Sequence, residues 1–176
     1  MTTSANTTAA MLAAYLAGRA ERPARPFEWA SNNCCHFAAE WVHYATRRNP
    51  MATLDTTADA RAALRMVRRL GGSLRAAWSQ QLGRAPIDAA LAQTGDVVLL
   101  PTAALTTPEQ GKVGHADEAD HADEKAGVGH VAGVCNGRHA VVVDRQGHAH
   151  FVPLYLADAA FRLHGTAGGG STQGAP

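Results

Sequence analysis

The spacing of apolar residues changes halfway along the chain, and this change constrains the fold more than any other feature. Before residue 94 the apolar residues recur at the spacing of helices that pack on a core. Helices are predicted at 9–19, 34–47, 57–70, 74–82 and, as a short one, at 86–93. After Thr94-Gly95, short apolar runs predict strands at 96–100, 129–135, 139–144 and 148–155. Helices followed by strands predict an α+β domain, with N-terminal helices packed on a C-terminal antiparallel sheet.

One stretch interrupts the predicted strands. Residues 101–127 are long for a connection and contain the sequence His-Ala-Asp-Glu twice, beginning at His115 and at His121. We interpret this insertion as a solvated acidic loop; the alternative is a metal-binding or partner-binding loop that uses these histidines and the nearby acids. The length of 176 residues suits one domain, which we place at 1–164, followed by a flexible Gly-rich tail at 165–176.

Charge and hydropathy argue against a nucleic-acid partner and against a membrane span. The net charge is +1 and the basic surplus outside the acidic insertion is small, so no nucleic-acid partner is expected. The third predicted helix carries Arg61, Arg65, Arg68 and Arg69 outside its apolar face, and we interpret them as a solvated face rather than a binding patch. No run approaches the roughly 20 apolar residues of a membrane span. The apolar stretch 9–17 follows no basic residue, so no signal peptide is predicted.

Cys34 is the first candidate for chemistry, because it stands at the start of the second predicted helix and on its apolar face. A thiol reacts as the thiolate, which a helix N-terminus and an adjacent imidazole both stabilise. Asn32 or Asn33 is predicted to cap this helix. The alternative is that Cys34 is a buried and inert core cysteine.

The other thiols are predicted to be structural. Three cysteines cannot form a disulfide framework, and the adjacent pair Cys34-Cys35 would bridge only with strain, so free thiols are expected. Cys35 falls off the apolar face and is predicted to pack against Ala39 and Val42. A zinc site built from Cys34, Cys35, His36 and a loop histidine is disfavoured, because zinc ligands are usually separated in sequence. We therefore expect neither a metal nor a cofactor.

His130 is the candidate partner of Cys34. It opens a predicted strand whose alternation places His130, Ala132 and Val134 on one face, and Cys135 on the other face in the core. If the helix that starts at Cys34 packs on the first face, the small side chain of Ala132 lets it approach and His130 can act as the base. A satisfied histidine at a strand end is the alternative.

Three segments, in this order, resemble the signature of NlpC-type papain-like cysteine peptidases. Residues 27–37 (FEWASNNCCHF) resemble the loop and helix start that carry the nucleophile. Residues 94–100 (TGDVVLL) resemble the Gly-Asp strand, and residues 129–134 (GHVAGV) resemble the strand with the catalytic histidine. The chain is similar in particular to the branch encoded among tail genes of phages and gene transfer agents, over about residues 12–160.

The resemblance implies a papain-like fold in which Cys34 attacks an amide carbonyl and His130 acts as base and then as acid. Backbone N–H groups at the helix start would hold the oxyanion. Three positions depart from the family pattern: Asn33 stands where an Asp is usual, Ala30 where a Gly is usual, and Cys35 where a Ser is usual.

The residue that orients His130 depends on the register of the next hairpin. The family carries this third residue on the strand after the histidine. A two-residue turn at Asn136-Gly137 pairs His130 with Val143, whereas a bulged three-residue turn pairs it with Asp144. We take Asp144 as the candidate, with His139, His148 and His150 as the alternatives.

These residues and the resemblance together predict a cysteine endopeptidase that cleaves peptidoglycan stem peptides as a component of a phage-like tail tip. Its expected partners are peptidoglycan and other tail-tip or hub proteins. It is expected to be made in the bacterial cytoplasm and to become part of the virion. The alternatives are a structural hub protein with the same fold and little activity, and a metal-binding accessory domain that uses His115 and His121.

Overall fold

The computed structural model describes residues 3–55, 57–106 and 129–163. Within them lie four α-helices: α1 (Thr3–Ala20), α2 (Cys34–Thr46), α3 (Ala60–Arg69) and α4 (Leu74–Leu82). Five strands follow: β1 (Val97–Pro101), β2 (His130–Cys135), β3 (His139–Val143), β4 (Ala149–Pro153) and β5 (Ala159–Phe161). The predicted α+β class, with a block of helices before an antiparallel sheet, is therefore confirmed.

Several predicted boundaries shift. The α3 helix begins at Ala60 rather than at residue 57, because Asp59 is itself the N-cap and accepts a hydrogen bond from the Ala62 N–H at 2.7 Å. The helix predicted at 86–93 is only a 3-10 turn at Ala89–Leu91. The 3-10 turn Thr102–Thr106 begins the predicted insertion. The rest of that insertion, with His115 and His121, and the predicted tail lie outside the described residues.

The sheet has the strand order β4-β3-β2-β1-β5, and all its neighbouring strands are antiparallel. One face packs on α2: Phe37, Trp41, Ala132 and Val134 belong to the same buried cluster. The opposite face carries a second buried cluster that includes Cys135. The predicted alternation of β2 is therefore confirmed, and it places the start of β2 on the side of the sheet that α2 covers.

The β2–β3 hairpin has a register that differs from both predictions. The paired residues are Val134 with Val141 and Cys135 with Ala140. The loop is therefore Gly137-Arg138 rather than Asn136-Gly137, because a two-residue loop favours positive φ at its first position and Gly137 has φ +105°. Both predicted registers, one opposite Val143 and one opposite Asp144, are wrong for this reason.

The start of β1 is fixed by a buried carboxylate. Asp96 accepts hydrogen bonds from the N–H groups of Gln93 at 2.8 Å and Leu163 at 3.1 Å, and Arg162 lies 3.5 Å away. Burial raises the pKa of Asp96, while these bonds and Arg162 act in the opposite direction. The Asp of the Gly-Asp strand thus joins the beginning of β1 to the end of β5 and is part of the scaffold.

Candidate functional site

Cys34 is the first residue of α2 and is partly exposed. The residues that follow it on the helix, Phe37, Ala38 and Trp41, are buried against the sheet. The predicted apolar face of α2 is therefore confirmed from Phe37 onward. Cys34 lies at the end of this face, where its side chain borders a cavity. The interpretation of Cys34 as a fully buried core residue is excluded by this exposure.

Asn33 caps the helix as predicted. Its Oδ1 accepts hydrogen bonds from the N–H groups of Cys35 at 3.0 Å and His36 at 3.1 Å. Its Nδ2 donates to the Trp29 carbonyl at 3.1 Å, which a carboxylate could not do. Asn33 therefore fixes the helix start and the preceding loop together. It also occupies two of the N–H groups at the helix start.

Cys35 lies beneath Cys34 and against α4. It packs at the edge of the buried cluster that α2 forms with the sheet. A hydrogen bond to Cys34, and then burial, raise the pKa of Cys35 well above its ordinary range, whereas the indole of Trp78 acts to lower it. Cys35 therefore stays protonated and donates its hydrogen bond to Cys34.

His130 is held by an aspartate that the sequence interpretation did not identify. His130 Nε2 lies 2.6 Å from Asp158 Oδ2, and Asp158 directly precedes β5. The Asp158 N–H donates to the Leu99 carbonyl at 3.0 Å, so the backbone at this point is anchored to β1. Because Asp158 engages Nε2, a proton exchange at this ring would use Nδ1.

Asp144, the predicted third residue, has a different hydrogen-bond partner. Its Oδ2 lies 2.7 Å from His150 Nε2, and its Oδ1 accepts from the N–H groups of Gln146 and His148 in the turn between β3 and β4. Asp144 comes directly after β3, where its carboxylate caps the turn to β4 instead of pairing with His130. In this structure the position that orients His130 is filled by Asp158.

One cavity of about 450 Å³ brings the candidate residues together. Its lining includes all three predicted catalytic residues, Cys34, His130 and Asp144, together with Asn33 and Cys35. The volume lies within the range of small-ligand sites. The fallback residues His139, His148 and His150 are not among the lining residues.

The loop before α2 contacts Arg145, which lies in the turn between β3 and β4. Phe27 N–H donates to the Arg145 carbonyl at 2.7 Å, and the Arg145 guanidinium lies 5.7 Å from the centre of the Phe27 ring. Asn32 is buried and donates to the carbonyls of Arg25 and Pro26. The contacts between Phe27 and Arg145 hold this loop against the β3–β4 turn, and the bonds of Asn32 fix the conformation of the loop itself.

Among the residues described, no group of three or more His, Cys, Asp or Glu side chains is arranged to hold a metal ion. Across the same ranges, no helix is both long enough and apolar enough to span a membrane.

The fold and the site define an α+β domain in which a cysteine at a helix start and an Asp–His pair border one cavity. The chain belongs to the family described as a domain of unknown function (DUF6950), whose sequence profile matches residues 5–163. No curated protein matches the chain, and no solved structure matches it.

Proposed function

We propose that the protein is a cysteine peptidase with a papain-like fold that cleaves an amide bond of peptidoglycan stem peptides as part of a phage-like tail tip. The observation that carries the chemistry is that Cys34, at the start of α2, and His130, held by Asp158, border the same cavity. The peptidoglycan target, the hub-protein partners and the place in the virion rest on the resemblance of the three segments to NlpC-type peptidases.

In the first half of the proposed reaction, the sulfur of Cys34 attacks the carbonyl carbon of the scissile amide. His130 Nδ1 takes the thiol proton, and the Cys34 N–H donates to the oxyanion that forms. His130 then gives the proton to the leaving nitrogen. The carbon–nitrogen bond breaks, and a thioester to Cys34 and a free amine result.

In the second half, water attacks the thioester while His130 takes its proton. The carbon–sulfur bond breaks, a carboxylic acid leaves, and His130 returns the proton to the sulfur. Asp158 keeps the imidazole in one orientation through both halves, because its bond to Nε2 does not involve the nitrogen that moves protons.

Digestion of purified peptidoglycan tests this proposal, with release of new amino termini as the readout. We expect the wild-type protein to release peptides and Cys34→Ser to reduce the rate by about a thousandfold or more. Cys35→Ser is the matched control, since it removes a neighbouring thiol but keeps a hydroxyl donor beside Cys34. Equal activity of the wild type and Cys34→Ser would refute the peptidase.

One observation favours a second function, a structural tail-tip protein with the same fold and little activity. Asn33 takes two of the N–H groups at the start of α2 and brings no carboxylate to the position where the resembling family has one. Such a protein would have a Cys34 thiol of ordinary reactivity, with the pH dependence of a group that titrates at about 8.5. The rate of Cys34 alkylation across pH separates the two functions.

A further inference from the structure

The cavity beside Cys34 extends away from the sheet along an apolar wall. This apolar wall consists of Met51, Leu54, Ala63, Met66, Leu70 and Trp78. Its residues come from three separate parts of the chain: the segment before α3, α3 itself and α4. Several elements therefore form this surface together. Met66 and Trp78 are buried, whereas the other four are half-buried and face the open space.

The α3 helix shows why this surface stays apolar. Its opposite side carries Arg61, Arg65, Arg68 and Arg69, and all four are exposed. The helix therefore presents its charges to solvent and its apolar residues to the cavity. The two methionines of the apolar wall have flexible, polarizable side chains that adapt to an apolar ligand.

The charged groups that border the cavity already have partners. Asp55 lies 3.1 Å from Arg69, and Asp144 lies 2.7 Å from His150. Arg145 lies over the Phe27 ring. Burial lowers the pKa of His36, so that this ring is neutral at neutral pH. The apolar wall itself consists of uncharged side chains and is therefore suited to a substrate group without charge.

We propose that the apolar wall is the binding site for a large aliphatic or aromatic group next to the carbonyl that Cys34 attacks. The proposal rests on the Cys34–His130 chemistry of the proposed function but not on its peptidoglycan target, since it assigns to the site an amide with an uncharged group much larger than the methyl of alanine. The cavity of about 450 Å³ equals the space of roughly fifteen water molecules. An extended acyl chain and the side chain of an apolar amino acid share this chemistry.

Binding to the inactive Cys34→Ala protein tests the site without requiring catalysis. Calorimetric titrations would use acetyl-, hexanoyl- and decanoyl-glycinamide as probes. We expect the affinity to rise about two- to fourfold for each added methylene that is buried. Acetyl-leucyl- and acetyl-phenylalanyl-glycinamide distinguish the two sources of the group: if they bind more tightly than the decanoyl probe, the site takes a side chain rather than an acyl chain.

Filling the cavity provides the matched comparison. Ala63→Leu places a larger side chain in the apolar wall, in the middle of α3 where leucine is compatible with a helix. Ala62→Leu makes the same change next to it, at a residue that does not line the cavity. Ala63→Leu should abolish the dependence on chain length and Ala62→Leu should keep it. Leu54→Trp, outside the helix, replaces Ala63→Leu if that variant does not fold.

An affinity that does not change with chain length, or equal effects of the Ala63 and Ala62 variants, would overturn this inference. Chain-length-dependent binding by a protein whose wild type hydrolyses no amide would instead refute the peptidase and leave the binding site in place. Amide hydrolysis by a protein whose binding does not depend on chain length would support the peptidase and refute the apolar binding site. The two proposals therefore fail in distinguishable ways.

Discussion

His130 and Asp158 approach each other from opposite sides of β1 and join at its end. His130 lies opposite Pro101 in the β1–β2 pairing, whereas Asp158 reaches the other side of β1 through its N–H bond to the Leu99 carbonyl. The 2.6 Å contact between His130 Nε2 and Asp158 Oδ2 closes this arrangement. The ring of His130 is thus held by the sheet itself rather than by the hairpin that follows β2.

The first prediction concerns Asp158. Asp158→Ala should lower kcat/KM by about 10- to 100-fold, because a small misplacement of the His130 ring disturbs proton transfer. Asp158→Asn should recover most of this loss, since the amide oxygen can still accept from Nε2. Both variants keep the backbone bond to Leu99, so their thermal unfolding should remain close to that of the wild type. Equal activity of the alanine variant and the wild type would exclude an orienting role.

The sequence allowed two residues of the site, Cys34 and His130, to be predicted, but not Asp158, the aspartate that holds His130. Cys34 and His130 follow from local patterns, a helix start and a strand start. The partner of His130 depends instead on β5, which contains only Ala159–Phe161 and has too few residues for a recognisable alternation. Asp158 is separated from His130 by 28 residues, and only the β1–β5 pairing brings them together.

The fold was predictable where the apolar residues of a segment follow one period. The predicted helix at 74–82 coincides with α4, the predicted strand at 96–100 is shifted by one residue from β1, and the predicted strand at 139–144 is one residue longer than β3. The β2–β3 register was not predictable, because Asn136-Gly137 and Gly137-Arg138 are both acceptable two-residue loops and differ by one residue. Moving the two-residue loop by one position changes which residue lies opposite His130. A prediction of the catalytic residues that depends on this register is therefore unreliable.

The second prediction concerns the cap of α2. Asn33→Ala removes the two bonds to Cys35 and His36 and the bond to Trp29, and should lower the free energy of unfolding by about 1–2 kcal/mol. Asn33→Asp keeps the acceptor oxygen and should cost less, but its negative charge should slow alkylation of Cys34. Urea unfolding and iodoacetamide kinetics measure the two effects. A loss of stability in the aspartate variant as large as in the alanine variant would contradict the assigned cap.

The third prediction concerns acid stability and Asp144. Burial alone would raise the pKa of Asp144, but the bonds from His150, His148 and Gln146 outweigh it and lower the pKa below its ordinary value of 3.8. The stabilisation is therefore fully present above that ordinary value and is lost as the pH falls through the lowered pKa. Asp144→Asn should be less stable than the wild type by about 1–2 kcal/mol at neutral pH.

The difference between Asp144→Asn and the wild type should shrink as the pH falls below 3.8 and the carboxylate of the folded protein takes up a proton. Urea unfolding at neutral and acid pH measures it. His150→Gln is the control, because it removes one of the bonds and keeps those of the turn, and it should give an intermediate loss. A difference that stayed constant across pH would show that Asp144 does not stabilise the turn as a charged group.

The last prediction concerns Gly95, where the helices meet the sheet. Trp41 Nε1 donates to the Gly95 carbonyl at 2.7 Å, and Gly95 has φ +94°. A Cβ there would lie 2.6 Å from Thr8 Cγ2 and 3.2 Å from Trp41 Cζ2, so Gly95→Ala should lower the free energy of unfolding by about 3 kcal/mol. Gly83→Ala is the matched control: Gly83 also has a positive φ, +65°, but nothing lies within 4 Å of its added Cβ, and the loss should be about 1 kcal/mol. Equal losses in the two variants, measured by urea unfolding, would show that the close approach of Thr8 and Trp41 to Gly95 does not exclude a Cβ there.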